Sequence, residues 1–192
     1  YSLIFGLIVA SIAIVSVGGM NGLENVRTNE QLSNAERAFD VLHDNLRAVH
    51  SEGTPSRATE VSLGDSQIFF GDNISMTVDL DSGSVTREIR PIIFRVEDER
   101  ALVYEAGAVI RQGRDGGVVL NPPPFSMVEG SGNDDGQVHL PIVRTVSPDV
   151  QSMGSTTILV RGQSANREVL NTTVSGGDHI NTIELETPRY GT

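Results

Sequence analysis

Four histidines, His43, His50, His139 and His179, are the first residues to test for chemistry, since imidazole is the commonest metal ligand and general base. His43 and His50 stand two helical turns apart on one face, too far to share a metal ion, and the i, i+4 pair of a metallohydrolase helix is absent. Gly176-Gly177-Asp178-His179 reads as a turn. No Gly-x-Ser-x-Gly elbow presents a serine to a base, and the absence of lysine rules out a Walker loop. Asp79, Asp81 and Gly83 resemble the opening of a calcium loop, but Arg90 stands where that loop needs its bidentate glutamate, so a hairpin turn is the reading. Asp134 and Asp135, within the glycine-rich stretch Glu129 to Gly136, form an exposed loop that is a weak calcium candidate. The chain is therefore read as a non-enzyme that carries no metal or organic cofactor. Modification has better support: Asn73-Ile74-Ser75 and Asn171-Thr172-Thr173 match the acceptor pattern for N-linked glycans, for use if this part of the chain is extracellular.

Charge narrows the class further. All 14 basic residues among the 192 are arginine, against 25 acidic ones, and the net charge is −11. Such a surface repels nucleic acid and anionic lipid. It suits very salty surroundings, where the Debye length falls to roughly 3 Å near 1 M and acidic self-repulsion is screened. The cysteine count of 0 excludes disulfides, a thiol nucleophile and thiolate metal sites.

The elements that must position these residues begin with an uncharged segment, Tyr1 to Val17. Leu3, Ile4, Phe5, Leu7, Ile8, Val9, Ile12, Ile14, Val15 and Val17 leave no polar stripe on a helix, so lipid or other protein must surround it on all sides. A helix through Val17 would be roughly 25 Å long, and about 30 Å if it ran on to Met20, close to a bilayer's hydrocarbon core. Gly18, Gly19 and Gly22 each weaken a helix by about 1 kcal/mol relative to alanine, so a bend or partial unwinding is expected there. Asn21-x-x-Glu24 and Ser33-x-x-Glu36 have capping-box form and mark places where the helix could restart. From Leu32 the apolar residues fall at Leu32, Ala35, Phe39, Leu42, Leu46 and Val49, alternating spacings of three and four, which is a heptad seam. Gly53 and Pro55 then supply a stop.

After Pro55 the period changes from helix to strand. Ile74, Met76, Val78 and Leu80 alternate with polar residues, Asp81-Ser82-Gly83 reads as a turn, and Ile92, Phe94 and Val96 continue the two-residue period. Further strand candidates are Glu60 to Leu63, Gln67 to Phe70, Leu102 to Tyr104, Ala108 to Arg111, Val118 to Leu120, Gln137 to Val146, Thr156 to Arg161, Glu168 to Val174 and Asn181 to Glu186. Pro122-Pro123-Pro124 is a stiff extended connector. The fold class expected is α+β. Residues 1–52 form a long N-terminal helix, apolar over 1–22 as a filament core or membrane segment and amphipathic over 23–52. Residues 53–192 form an antiparallel, β-sandwich-like head.

An apolar N-terminal helix, a glycine-bearing bend, an amphipathic extension and a β-rich head together resemble an archaeal type IV pilin. Phe5-Gly6-Leu7-Ile8-Val9-Ala10-Ser11, Asn34-Ala35-Glu36-Arg37-Ala38-Phe39-Asp40, Ser56-Arg57-Ala58-Thr59-Glu60 and Tyr104-Glu105-Ala106-Gly107-Ala108 are similar to pilin-like secreted proteins of haloarchaea. The resemblance implies a prepilin with a short basic leader, cleavage by a membrane peptidase, and extraction from the lipid by an assembly ATPase and platform protein. The early glutamate of bacterial pilins is absent. On this reading the chain is a subunit of an extracellular, cell-surface filament, a homopolymer that is membrane-inserted before assembly and does not bind nucleic acid. Gly6, Ala10 and Ala13 would let neighbouring rods approach closely. The alternative is a single-pass membrane-anchored extracellular binding module; an archaellin, used for rotary motility, is a third.

Overall fold

The computed structural model describes residues 2–80, 83–97, 100–114, 116–128, 137–146, 152–153, 156–164 and 180–185. One helix, α1 (Ser2–Ser51), takes up 50 residues. No proline interrupts the chain before Pro55, so nothing removes a hydrogen bond from the ladder. Gly53, at φ +74°, turns the chain so that Thr54 N–H reaches the Ala48 carbonyl at 3.1 Å and closes the helix end. The bend expected at Gly18 to Gly22 and the restarts expected at Asn21 and Ser33 do not interrupt the helix. Glycine weakens the ladder without deleting a donor, so the hydrogen-bonded ladder runs on through it.

All the strands pair antiparallel. In chain order they are β1 (Ser56–Ser62), β2 (Gln67–Phe70), β3 (Ile74–Leu80), β4 (Gly83–Ile89), β5 (Ile92–Glu97), β6 (Arg100–Glu105) and β7 (Ala108–Gly113). There follow β8 (Gly116–Asn121), β9 (Ser126–Val128), β10 (Gln137–His139), β11 (Ser152–Met153), β12 (Thr157–Gln163) and β13 (Ile180–Leu185). The main sheet has six strands in the order β11-β2-β5-β6-β7-β8, and a second has three, β13-β3-β4. The two-stranded ribbons are β1-β12 and β9-β10.

The fold is thus α+β with antiparallel sheets. In place of a second leaf over the core face of the main sheet stand the helix and the β1-β12 ribbon. Ala35 and Phe39 from α1, with Val61 and Ile158 from the ribbon, meet Ile68, Ile92, Phe94, Leu102, Tyr104 and Val109. Phe39 and Phe94 make an edge-to-face pair with centroids 6.0 Å apart. The two-residue period sends Ile93, Ala101 and Val103 to the opposite face, where they form a separate cluster with Phe69 and Ile110. Ile74, Met76, Val78 and Ile89 bury a third cluster on the smaller sheet, flanked by Phe125, Leu140 and Ile142.

One strand expectation changes. Gln137 to Val146 is strand only as far as His139, since Pro141 has no N–H to extend the ladder. Glu168 to Val174 lies outside the described residues, as do Asp81 and Ser82 of the expected turn.

Candidate interaction surface

The helix divides into two surfaces with opposite fates. From Ile4 to Ser16 every described side chain is exposed: Ile4, Phe5, Leu7, Ile8, Val9, Ile12, Ile14 and Val15 project from the body, between 49% exposed at Ile8 and 74% at Ile14. Gly6, Ala10 and Ala13 lie among them, and a Cβ added at Gly6 would meet open space. Met20, Leu23 and Val26 carry the exposed apolar character on toward the head. The side chains of Leu3 and Val17 lie outside the described ones. Among the described residues no helix is long and apolar enough to cross a membrane.

The second half behaves in the opposite way. Ala35, Phe39, Leu42 and Val49 are buried against the head, with Leu32 and Leu46 partly so. A Cβ on Gly162 of β12 would meet the Leu46 side chain, which lies close against the strand there. Polar pairs line both flanks of the seam. On one side Arg111 Nη1 donates to Glu36 Oε1 at 2.9 Å, Arg100 Nη1 to Asn29 Oδ1 at 3.1 Å, and Asn121 Nδ2 to Asp40 Oδ1 at 3.0 Å. On the other, Asn45 Nδ2 donates to Thr59 Oγ1 at 2.9 Å, and Arg27 pairs with Asp65 at 2.7 Å. These pairs join residues far apart in the chain, and no register for them can be read from the sequence. Its only signal was the polar residues at Asn29, Glu36 and Asp40 beside the apolar stripe.

Among the described residues the remaining candidates do not converge. His43 Nδ1 lies 3.5 Å from Asp44 Oδ1, and His50 Nδ1 shares a hydrogen bond of 2.8 Å with Ser51 Oγ. No cluster of three potential metal ligands exists among the described residues. His179, Asp134 and Asp135 lie outside them. Asn73 is exposed and its amide donates to Glu88 Oε2 at 3.2 Å, so a glycan would meet solvent there; Asn171 lies outside the described residues. The expected proline connector packs onto the β6–β7 turn, with Pro124 beside Gly107.

A family model described as a family of unknown function, DUF7289, matches residues 1–191. The chain belongs to that family. No curated protein and no solved structure matches it. The DUF7289 match takes in the projecting rod, the seam and the head together. In this DUF7289 chain a cleft also opens where the rod meets the head, between Asn29 and Leu32 of α1 and the β7–β8 hairpin. Its lining includes Arg100, Arg111 and Arg114.

Proposed function

We propose that the chain is a structural, non-enzymatic subunit of an extracellular filament of the type IV pilus kind, polymerising through the apolar first half of its helix. The observation that carries this is the contrast within one helix: the seam is covered by the chain's own head, while apolar side chains on every face from Ile4 to Val15 have no cover from it. At roughly 1.5–3 kcal/mol for each large apolar side chain fully buried, covering them is worth on the order of 10 kcal/mol, comparable to the cost of association. Identical rods from other copies provide such cover and present a different surface to each neighbour, so the contact propagates as a helix. Residues 1–22 would form the filament core and the heads the outer shell.

The resemblance to haloarchaeal pilin-like proteins supports the same reading. It brings with it a prepilin peptidase, an assembly ATPase and a platform protein as biogenesis partners, with residence in the membrane before assembly. The acidic, lysine-free surface fits a salty exterior, and Asn73 and Asn171 would carry glycans there. No cofactor is required.

Negative-stain microscopy of sheared cell-surface material, with mass spectrometry of the fibres, tests the proposal: the chain should be a principal fibre component. Ile8→Asp or Ile12→Asp should abolish fibres while the head stays folded. A full-length chain that remains a lone particle in detergent and is missing from fibres would overturn the proposal in favour of the membrane-anchored module.

A further inference from the structure

Resting on the extracellular reading above, we propose that an N-linked glycan on Asn73 folds back along the outer face of the β3–β4 pair, with Glu88 as its positioning residue. The buried residues Ile74, Met76, Val78 and Ile89 fix which face of the small sheet is covered. Alternation therefore turns Ser75, Thr77 and Asp79 of β3 outward, and the register sets Glu88, Thr86 and Ser84 of β4 beside them. Asn73 is exposed, stands one residue ahead of Ile74 and reaches Glu88, so the sequon asparagine lies at the end of this same face. Arg90, the next residue beyond β4, is drawn off to the Gly71 carbonyl at 3.1 Å and the Phe70 ring. What remains is a surface of hydroxyls and carboxylates, which supplies acceptors to sugar hydroxyls and, through the threonines, donors as well. Contacts of this kind are weak for a free sugar. A glycan joined at Asn73 makes them intramolecularly, at an effective concentration on the order of millimolar, and that tether selects it as the occupant.

The chemistry of the linkage gives Glu88 its role. In the unmodified chain Asn73 Nδ2 donates to Glu88 Oε2 at 3.2 Å. Transfer from a lipid-linked sugar phosphate forms a bond from Nδ2 to the anomeric carbon and breaks that carbon's bond to the phosphate oxygen. One of the two amide protons passes to the transferase's base, and one N–H stays on Nδ2. Donated to Glu88, it holds the amide toward β4, so the first sugar starts across the face and not out in solvent. Arg144 Nε donates to the backbone carbonyl of Glu88 at 2.8 Å, which leaves the carboxylate to Asn73. Thr77 and Thr86, hydroxyl to hydroxyl at 3.0 Å, lie about 13 Å further along the strand, within reach of a short sugar chain.

Full-length chain solubilised from the cell surface in detergent is analysed by mass spectrometry at the Asn73 peptide and, with isotope-labelled threonine methyls, by NMR. Asn73 should carry a glycan, with nuclear Overhauser contacts from its sugar protons to the Thr77 and Thr86 methyls. Asn73→Gln should remove both signals. Glu88→Ala should leave the site occupied but abolish the contacts, and Glu88→Gln, which keeps an acceptor oxygen, should restore them. A bare Asn73, or sugar protons near neither threonine, overturns the inference; contacts that survive Glu88→Ala overturn the positioning role. Fibres are scored separately: a glycan held on the face of a chain that forms no fibres sinks the filament reading alone, and fibres with a bare Asn73 sink this inference alone.

Discussion

Two glycines in the left-handed region show how much a single hydrogen can matter. Gly53, at φ +74°, faces open space, so Gly53→Ala should cost only the conformational penalty, about 1 kcal/mol. Gly107, at φ +83°, forms the two-residue β6–β7 turn with Ala106 at φ +50°, and a Cβ there would sit 2.7 Å from Pro124 Cδ. Gly107→Ala should therefore lower the denaturant midpoint by clearly more than Gly53→Ala, since a turn and a proline must both shift. Phe39 is 0% exposed and lies against Phe94 and the sheet. Phe39→Ala should remove about 3–5 kcal/mol, read from chemical unfolding of the full chain. Tyr104 adds a pH dependence. Burial holds its phenol above the ordinary value of 10.0, so its contribution is complete below pH 10 and is lost as pH rises further, where only the unfolded chain releases the proton. Tyr104→Phe should flatten that part of the loss when unfolding midpoints at pH 8 and pH 11 are compared.

Among the elements, the helix is the one whose pattern announced its packing. The spacing from Leu32 to Val49 named the residues that meet the head, because a heptad stripe has one face to bury and a single sheet can bury it. Phe39→Asp or Leu42→Asp should prevent the head from folding; a soluble, folded head with either change would show that the seam belongs to something else. Strand positions were readable from alternation wherever one face is covered, as in Ile74, Met76 and Val78. What covers each face was not readable: periodicity says that a side is apolar without naming its neighbour, and here the helix and a ribbon occupy the place expected for a second sheet. The glycine segment misled in a similar way, since intrinsic propensity predicts a weak point and the helix spans it. A Cβ at Gly22 would meet nothing within 4 Å. Gly22→Ala should therefore stabilise the helix by about 1 kcal/mol, measured as helicity against temperature in detergent.

For the whole molecule, a charge of −11 makes stability depend on salt. Moving from 0.1 M to 1 M shortens the Debye length from about 10 Å to about 3 Å, so the melting midpoint should rise as self-repulsion is screened. The cleft of arginines could not be read from the sequence, because Arg100, Arg111 and Arg114 sit on separate strands and a hairpin end that only the sheet brings to the helix. One pairing also governs the order in which the molecule can be completed. β1 joins β12 along its whole length, from Ser56 opposite Gln163 to Ser62 opposite Thr157, and this ribbon lies across the helix. As the chain leaves the ribosome, Phe39 and Leu42 emerge long before the strand that straps them down. Closure of so distant a loop is slow, and apolar surface stays uncovered meanwhile. The nascent protein thus passes through a sticky interval that ends only when its last third is synthesised, and truncation before Thr157 should leave a product that aggregates or is degraded.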